Sequence, residues 1–127
     1  MLLVSLVAGA AASAAPPRLL PTCARALVAQ PRSVVFACAD GNFYADGLTW
    51  SGWGRARATA HGNAHVNDCT PYCAAGRFHT FPVVVYAYGS QRCRGRNAYL
   101  GVGWSFPGRR PSTMPRSGRE ALRFACR

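Results

Sequence analysis

The chain has 127 residues and a formal net charge of +11, because 15 basic residues are opposed by only four acidic ones. This length allows one domain of ordinary size and leaves no room for a second. Every basic residue is arginine, which is typical of a GC-rich genome and says little about function. That bias does not explain the scarcity of Asp and Glu, which indicates a protein whose surface meets anionic partners.

Residues 1–14 form an apolar run that ends in the small residues Ala12, Ser13 and Ala14. The run is shorter than the roughly 20 apolar residues of a membrane helix, so no transmembrane segment is predicted. It is typical of a secretory signal peptide cleaved after Ala14, although the usual basic start is missing and the true start codon could lie upstream. The alternative is a buried N-terminal helix. We therefore predict a secreted, extracellular protein.

Six cysteines follow the predicted signal peptide. They are Cys23, Cys38, Cys69, Cys73, Cys93 and Cys126. An even number of cysteines in an exported chain predicts three disulfides, and each contributes about 2–4 kcal/mol to a small domain. Many connectivities are possible, and the spacing alone does not choose among them.

The segment 15–32 is punctuated by prolines and is predicted to be an arm on the domain surface, with room for one short helix over 22–29. Residues 33–127 are predicted to form a single β domain. Strand-like runs lie at 33–39, 48–50, 55–67, 82–88, 97–104 and 121–126. Asp-Gly pairs at 40–41 and 46–47 predict turns, and the Pro-, Gly- and Arg-rich segment 107–120 predicts a loop before a closing strand.

The clearest periodicity lies between Arg55 and Asn67, where small apolar residues alternate with polar ones. A period of two predicts a long strand, or a bent pair, with one face in water. No segment keeps apolar residues at helical spacing over more than two turns. The pattern predicts an all-β fold, either a small antiparallel β-sandwich or a partly open barrel of six to seven short strands.

Evenly spaced His61, His65, Cys69 and Cys73 could be taken for a zinc site. Residues four apart on a strand are about 13 Å from each other, which is too far to share one ion. Disulfide formation would also remove the two thiolates. Two histidines beside a disulfide explain the same residues.

Asp40, Asn42 and Asp46 resemble the start of a calcium loop. The glycine expected at the sixth position is absent, and Ser51 stands where a bidentate Glu belongs. Two consecutive turns explain this segment equally well. We predict no metal and no cofactor.

His61, His65 and His79 are the candidate general bases, with Asp68 and Glu120 as carboxylate partners. A small secreted hydrolase or ribonuclease would use two such groups with an arginine that holds phosphate. The sequence has no Gly-x-Ser-x-Gly motif, no His-Glu-x-x-His motif and no phosphate-binding Gly-rich loop. We therefore predict no catalytic residues. The enzyme alternative requires one of the histidines to reach a carboxylate in a pocket.

Seven arginines lie in predicted turns or on the polar face of the alternating strand. They are Arg55, Arg57, Arg92, Arg94, Arg96, Arg109 and Arg110. We predict that they form one cationic face that binds an anionic cell-envelope polymer, lipid head groups or an acidic protein, and no specific nucleic acid. The alternative is a solvated surface without a ligand. Most of a set of six aromatic residues are predicted to fill the core: Trp50, Trp53, Trp104, Tyr86, Tyr88 and Tyr99.

Four segments in order carry a resemblance to known proteins: 38–42 (CADGN), 48–54 (LTWSGWG), 67–76 (NDCTPYCAAG) and 78–85 (FHTFPVVV). With a later Gly95-Arg96, this order resembles that of a family of small secreted actinobacterial proteins with no established activity, and the resemblance covers about 76 residues, from Ser33 to Gly108. The resemblance implies export and a β module held by disulfides. It implies no catalytic residues.

Cys93 and Cys126 depart from that family pattern and look like an added pair, so we expect them to bond to each other. For the remaining four, Pro71 can fold the short loop that would join Cys69 to Cys73. This leaves Cys23 with Cys38.

A second similarity concerns the run 82–85 (PVVV), which resembles a segment of the Streptomyces subtilisin-inhibitor family. It does not extend to a recognisable reactive loop. A secreted protease inhibitor is the alternative function that it implies, with the 107–118 loop as its first candidate contact.

Overall fold

The computed structural model describes Gly9 and residues 17–127, so that the predicted signal peptide, apart from Gly9, lies outside the described residues. The fold is all-β, as predicted. The strands are β1 (Leu20–Pro21), β2 (Leu27–Val28), β3 (Val34–Val35), β4 (Phe43–Ser51), β5 (Arg57–Asn67), β6 (Phe78–Tyr88), β7 (Gln91–Cys93), β8 (Arg96–Ala98), β9 (Gly101–Ser105) and β10 (Ser117–Ala121). Two 3-10 turns cover Cys73–Ala75 and Arg123–Cys126. No helix in the described part of the chain is long and apolar enough to cross a membrane.

Six of the strands form one curled antiparallel sheet in the order β10-β9-β6-β5-β4-β3. Two hairpins, β1–β2 and β7–β8, form separate two-stranded sheets. The long strands β4, β5 and β6 are central, and their inner face carries much of the core. The other face of this sheet is called the outer face below.

The alternation in β5 has the predicted consequence for burial. Ala58, Ala60 and Ala64 have no exposed surface and face the core, whereas Arg57 and His61 on the other face are exposed. Small side chains at the centre of the sheet leave room for larger neighbours, and the rings of Phe43 and Trp104 meet edge to face with centroids 5.1 Å apart. The core is therefore filled by aromatic residues from other segments.

The turn predicted at Asp46-Gly47 is wrong, because both residues lie inside β4. Asp46 pairs with Asn63 and Thr49 with His61, so two residues of β4 lie opposite the single residue Gly62, and the one extra residue is accommodated by a bulge at Gly47, where φ is +60°. The opposing Gly62 has no space for a side chain, since a Cβ there would lie 2.4 Å from the Asp46 carbonyl oxygen. The pairing on both sides of the bulge keeps the strand continuous.

The helix predicted over 22–29 is also wrong, because this segment contains the turn and second strand of a hairpin. Leu20 pairs with Val28, and the Thr22 N–H donates to the Ala26 carbonyl. A helix this short is marginal on its own, whereas the hairpin gains contacts with the rest of the domain. The Leu19 N–H donates to the Asn97 carbonyl, and the Trp50 indole donates to the Pro31 carbonyl at 2.6 Å.

The last predicted strands have different limits in the structure. The run 97–104 is divided between β8 and β9, and the closing strand is Ser117–Ala121, not 121–126. The end of the chain turns away from the sheet because Cys126 is bonded to Cys93. The predicted 107–120 loop is correspondingly shorter, since its last residues pair with β9.

Three disulfides cross-link the domain, at sequence separations of 15, 4 and 33 residues. They are Cys23–Cys38, Cys69–Cys73 and Cys93–Cys126, the same pairs as expected above. The first joins the β1–β2 hairpin to the segment after β3. The second closes the β5–β6 connection, and the third joins the β7–β8 hairpin to the C-terminal turn.

Candidate functional site

The seven arginines of the predicted cationic face do not share one face. Arg57 begins β5, whereas Arg109 and Arg110 line a cleft with Asn67 at the other end of that strand. β5 has 11 residues, and a strand rises about 3.3 Å per residue, so the two groups lie on the order of 30 Å apart. The sheet therefore divides the predicted face into two regions. We call them the arginine end (Arg18, Arg55, Arg57, Arg92 and Arg96) and the histidine cleft (Asp68, His79, Arg109 and Arg110).

The arginine end surrounds the first described residues of the arm. Pro17 packs against Gly54, next to Arg55, and also lines a groove of about 280 Å³ with Arg92 and Arg96. Arg18 lies between these parts, and its Nη1 donates to the carbonyls of Arg55 and Gly89. Sequence reasoning missed Arg18, because nothing in the arm's composition indicates where the arm docks.

Arg94 serves the fold instead of a surface site. Its Nη1 donates to the Ala125 carbonyl at 2.7 Å, and its Nη2 donates to the Arg25 carbonyl at 2.6 Å. The guanidinium therefore joins the β7–β8 hairpin to the arm and the C-terminal turn. This corrects its place in the predicted cationic face.

Tyr86 and Tyr88, two of the six aromatic residues of which most were expected in the core, lie on the outer face of the sheet. Their rings extend across the glycines of β9: a Cβ at Gly103 would lie 2.1 Å from Tyr86 Cζ, and one at Gly101 would lie 2.7 Å from the Tyr88 hydroxyl. Arg57 stacks on Tyr86, with Cζ 3.8 Å from the ring centroid. The Gly-Val-Gly alternation of β9 is the sequence signal that could have placed these rings, since bare glycines on one face accept aromatic rings from the next strand.

The histidine cleft lies at the open end of the curled sheet, where β5 ends and β6 begins. It has a volume of about 330 Å³, and the loop after β9 forms its opposite wall. Arg109 lies over the apolar floor, with Cζ 5.9 Å from the centroid of the Phe81 ring, and the hydroxyl residues Thr70, Ser112 and Thr113 line the rim. Cationic groups and hydroxyl donors around a concave space are suited to an oxyanion.

Asp68 and His79 form a hydrogen-bonded pair in this cleft. His79 Nε2 donates to Asp68 Oδ2 at 2.8 Å, while Asp68 Oδ1 accepts from the backbone N–H groups of Thr70 and Arg77, each at 3.0 Å. These bonds, the one from His79 first, lower the pKa of Asp68 from 3.8 to about 2. The carboxylate is thus charged but already fully engaged. His79 keeps Nδ1 as an unused acceptor, because a carboxylate fixes the proton on Nε2.

His65 forms a similar pair with a different outcome. Its Nε2 donates to Asp46 Oδ1 at 2.8 Å, but its Nδ1 accepts from the Thr80 hydroxyl at 3.1 Å. The ring also stacks on Tyr44, with centroids 4.8 Å apart. Both nitrogens are used, so His65 joins strands β4, β5 and β6. His61 lies on the outer face between Thr49 and Val84, away from both pairs.

The possible metal ligands are not brought together. Cys69 and Cys73 are joined in a disulfide, and no three His, Cys, Asp or Glu side chains within the described residues are placed to hold an ion. Asp40 Oδ1 accepts the Asn42 N–H, as in a turn.

The arginines are left without acidic partners. Within residues 17–127 there are two ion pairs, and both join a histidine to an aspartate. No arginine in this range forms a salt bridge with an Asp or Glu side chain. Several guanidinium groups donate to backbone carbonyls or stack on rings, but these contacts leave the positive charge uncompensated.

An apolar cavity of about 240 Å³ lies between the β1–β2 hairpin and β3, lined by Leu20, Val34, Val102 and Leu122 among others. It carries no charged group. It is a gap between the arm and the core, and its lining is mostly apolar, with Thr22 and Ser33 as its hydroxyl residues.

Comparisons with protein-family models, curated proteins and solved structures find no match to this chain. The resemblance to small secreted actinobacterial proteins therefore stays a prediction. Support for a function comes from the contacts and charges of this chain's own residues.

Proposed function

We propose that this protein is a secreted, non-enzymatic β module that binds phosphate-bearing polyanions of the cell envelope, either lipid head groups or a polymer. Its contacts are the arginine end and the histidine cleft. The observation that carries the proposal is that no arginine within residues 17–127 is paired with an Asp or Glu side chain. Three disulfides support an oxidising compartment and therefore export.

Phosphate fits these two regions for a physical reason. A guanidinium donates two parallel hydrogen bonds that match two oxygens of one phosphate. Because these guanidinium groups are not paired with a carboxylate, phosphate does not have to displace one in order to bind. In the cleft, the two positive charges of Arg109 and Arg110 outnumber the single negative charge of Asp68, whose oxygens both accept hydrogen bonds from the protein. Binding of this kind releases counterions and depends steeply on salt.

The test is binding of the full exported chain to soluble polyphosphate and to vesicles of phosphatidylglycerol in phosphatidylcholine. The two probes distinguish a polymer from a lipid source of the same phosphate chemistry, and polyglutamate reports on an acidic protein partner. We expect affinity to fall at least about tenfold between about 50 mM and about 200 mM NaCl. No binding of either phosphate probe at low salt, or binding unchanged by salt, would contradict the proposal.

One observation favours a second candidate function, hydrolysis of a phosphate ester. His79 meets the condition set for an enzyme, since it bonds to a carboxylate inside a cleft that also holds Arg109 and Arg110. His79 Nδ1 would take a proton from water as the water oxygen bonds to phosphorus. The bond from phosphorus to the leaving oxygen would then break, and His79 would return the proton to the leaving alcohol.

This candidate is tested with bis-p-nitrophenyl phosphate and with RNA as substrates. A hydrolase would lose about 100-fold or more of its turnover in H79Q, while H61Q on the outer face would keep it. Turnover that is absent, or equal in H79Q and the parent, would remove the enzyme and leave the binding module.

The inhibitor alternative concerns the loop between β9 and β10. Arg116 Nη1 donates to the carbonyls of Phe106 and Gly108, and Pro111 is buried, so the loop is fastened at its base and middle. Salt-tolerant inhibition of a secreted serine protease, with cleavage in this loop, would be the result that favours it.

A further inference from the structure

We propose that one molecule bridges two phosphate-bearing surfaces or polymer segments, holding one at the arginine end and the other at the histidine cleft. This inference rests on the proposed binding function and adds that the two regions bind at the same time. It depends on where the fold places them relative to each other.

The two regions are far enough apart to act separately. Arg57 stands at the start of β5, and Asn67 at the end of that strand borders the cleft, a separation on the order of 30 Å. Electrostatic interactions in water are screened over about 8 Å at physiological ionic strength. A phosphate bound at one end therefore leaves the positive charge at the other end available.

The two regions also face different sides of the sheet. Arg57 lies on the outer face, where it stacks on Tyr86. His79 pairs with Val66, a core residue, and Arg109 approaches Phe81, so the cleft opens on the inner side. A flat surface in contact with Arg57 cannot also enter the cleft, and the cleft is left for a second surface.

The part of β5 between the two regions carries no arginine. Its outward residues after Arg57 are Thr59, His61, Asn63 and His65. A polyanion lying along this strand would therefore not be held continuously from one region to the other. This distribution of charge supports two separate contacts and not one extended contact.

The experiment measures vesicle clustering by light scattering and vesicle binding by co-sedimentation, using phosphatidylglycerol in phosphatidylcholine at low salt and with lipid in excess. Four proteins are compared: the parent chain, R55Q/R57Q, R109Q/R110Q, and the control R32Q/R123Q. Each variant loses two exposed positive charges, so the total charge is matched. The unfolding midpoint of each protein in urea confirms that it is folded.

We expect the parent and the control to cluster vesicles. Each end variant should still bind, and its clustering at equal bound protein should fall at least about tenfold, because one of the two contacts has lost two of its positive charges. Clustering by either end variant at the parent's level would overturn the inference. So would binding of the parent without clustering, which leaves the proposed binding function intact.

Self-association is distinguished by mixing the two end variants. A bridging monomer gives no recovery of clustering in the mixture, since no molecule has both regions intact. Recovery would show that a dimer joins the vesicles and would overturn the inference. Absence of binding by the parent would instead be the failure of the proposed function itself.

Discussion

The arginine end and the histidine cleft have the same sign of charge but are assembled differently. The arginine end brings together the arm, the β4–β5 connection and the β7–β8 hairpin, and the disulfide that fixes this hairpin spans 33 residues, from Cys93 to Cys126. The cleft is formed by the β5–β6 connection, closed by a disulfide that spans four residues, and by one further loop. One region thus depends on long-range contacts and the other mainly on local ones. Each can be perturbed while the other is left in place.

The largest expected difference between the two regions comes from removing their disulfides. A cross-link restricts the unfolded chain more when it closes a longer loop, so C93S/C126S should lower the free energy of unfolding by about 4 kcal/mol and C69S/C73S by about 2 kcal/mol. Urea denaturation without reductant measures both. Equal losses of unfolding free energy would show that the two regions do not differ in their dependence on a long-range cross-link.

The next effect separates the structural Arg94 from the surface Arg96 of the arginine end, both of which lie in the β7–β8 hairpin. R94A removes two hydrogen bonds to carbonyls and should lower the free energy of unfolding by about 1.5 kcal/mol. Arg96 is exposed on the same hairpin, and R96A should change the free energy of unfolding by less than about 0.5 kcal/mol. Urea denaturation of the two variants side by side is the measurement. An R96A loss as large as that of R94A would contradict the assigned roles.

The two histidine–aspartate pairs allow the cleft to be compared with the sheet, because His79 lies in the cleft and His65 joins the central strands. H65A removes bonds to Asp46 and Thr80 and the stacking on Tyr44, so we expect a loss of about 1 kcal/mol in unfolding free energy. H79A removes one exposed contact and should cost less than about 0.5 kcal/mol. Thermal or urea unfolding of the two variants at pH 7 measures both losses of unfolding free energy. The reverse ranking would mean that the cleft pair, and not His65, supports the fold.

The smallest effect is a pH dependence confined to the cleft. The pKa of Asp68 is lowered from 3.8 to about 2, chiefly by the His79 hydrogen bond, so its contribution is complete above pH 3.8 and is lost as the pH falls through 2. NMR should show the amides of Thr70 and Arg77 shifting with a midpoint near that lowered value. D68N should abolish this transition, and amides of the β7–β8 hairpin serve as the control. A midpoint near 3.8 would show that the hydrogen bonds do not hold the carboxylate.

Prediction from the sequence was most accurate where neighbouring residues alone decide the conformation. The alternation from Arg55 to Asn67 placed the long strand and its buried face, because the period of two follows directly from strand geometry. It failed where a distant partner decided the conformation. Asp46-Gly47 reads as a turn by itself, but continuous pairing with β5 converts it into a bulge.

The candidate site could be predicted only in its parts. The seven arginines and three histidines are visible in the sequence, and so are their possible acidic partners. The sequence does not show which histidine contacts which aspartate. His79 and Asp68 are brought together by the β5–β6 register, and His65 and Asp46 by the β4–β5 register. The division of the arginines into two regions has the same origin.

The sequence by itself determined that this is a small, disulfide-rich β protein with far more positive than negative charge. These properties follow from composition, cysteine number and local periodicity, which need no knowledge of distant contacts. Only the tertiary structure decided where the charge lies. Strand register and sheet curvature set the distances between residues far apart in the chain, and those distances place two arginines beside the Asp68–His79 pair and the others about a strand's length away.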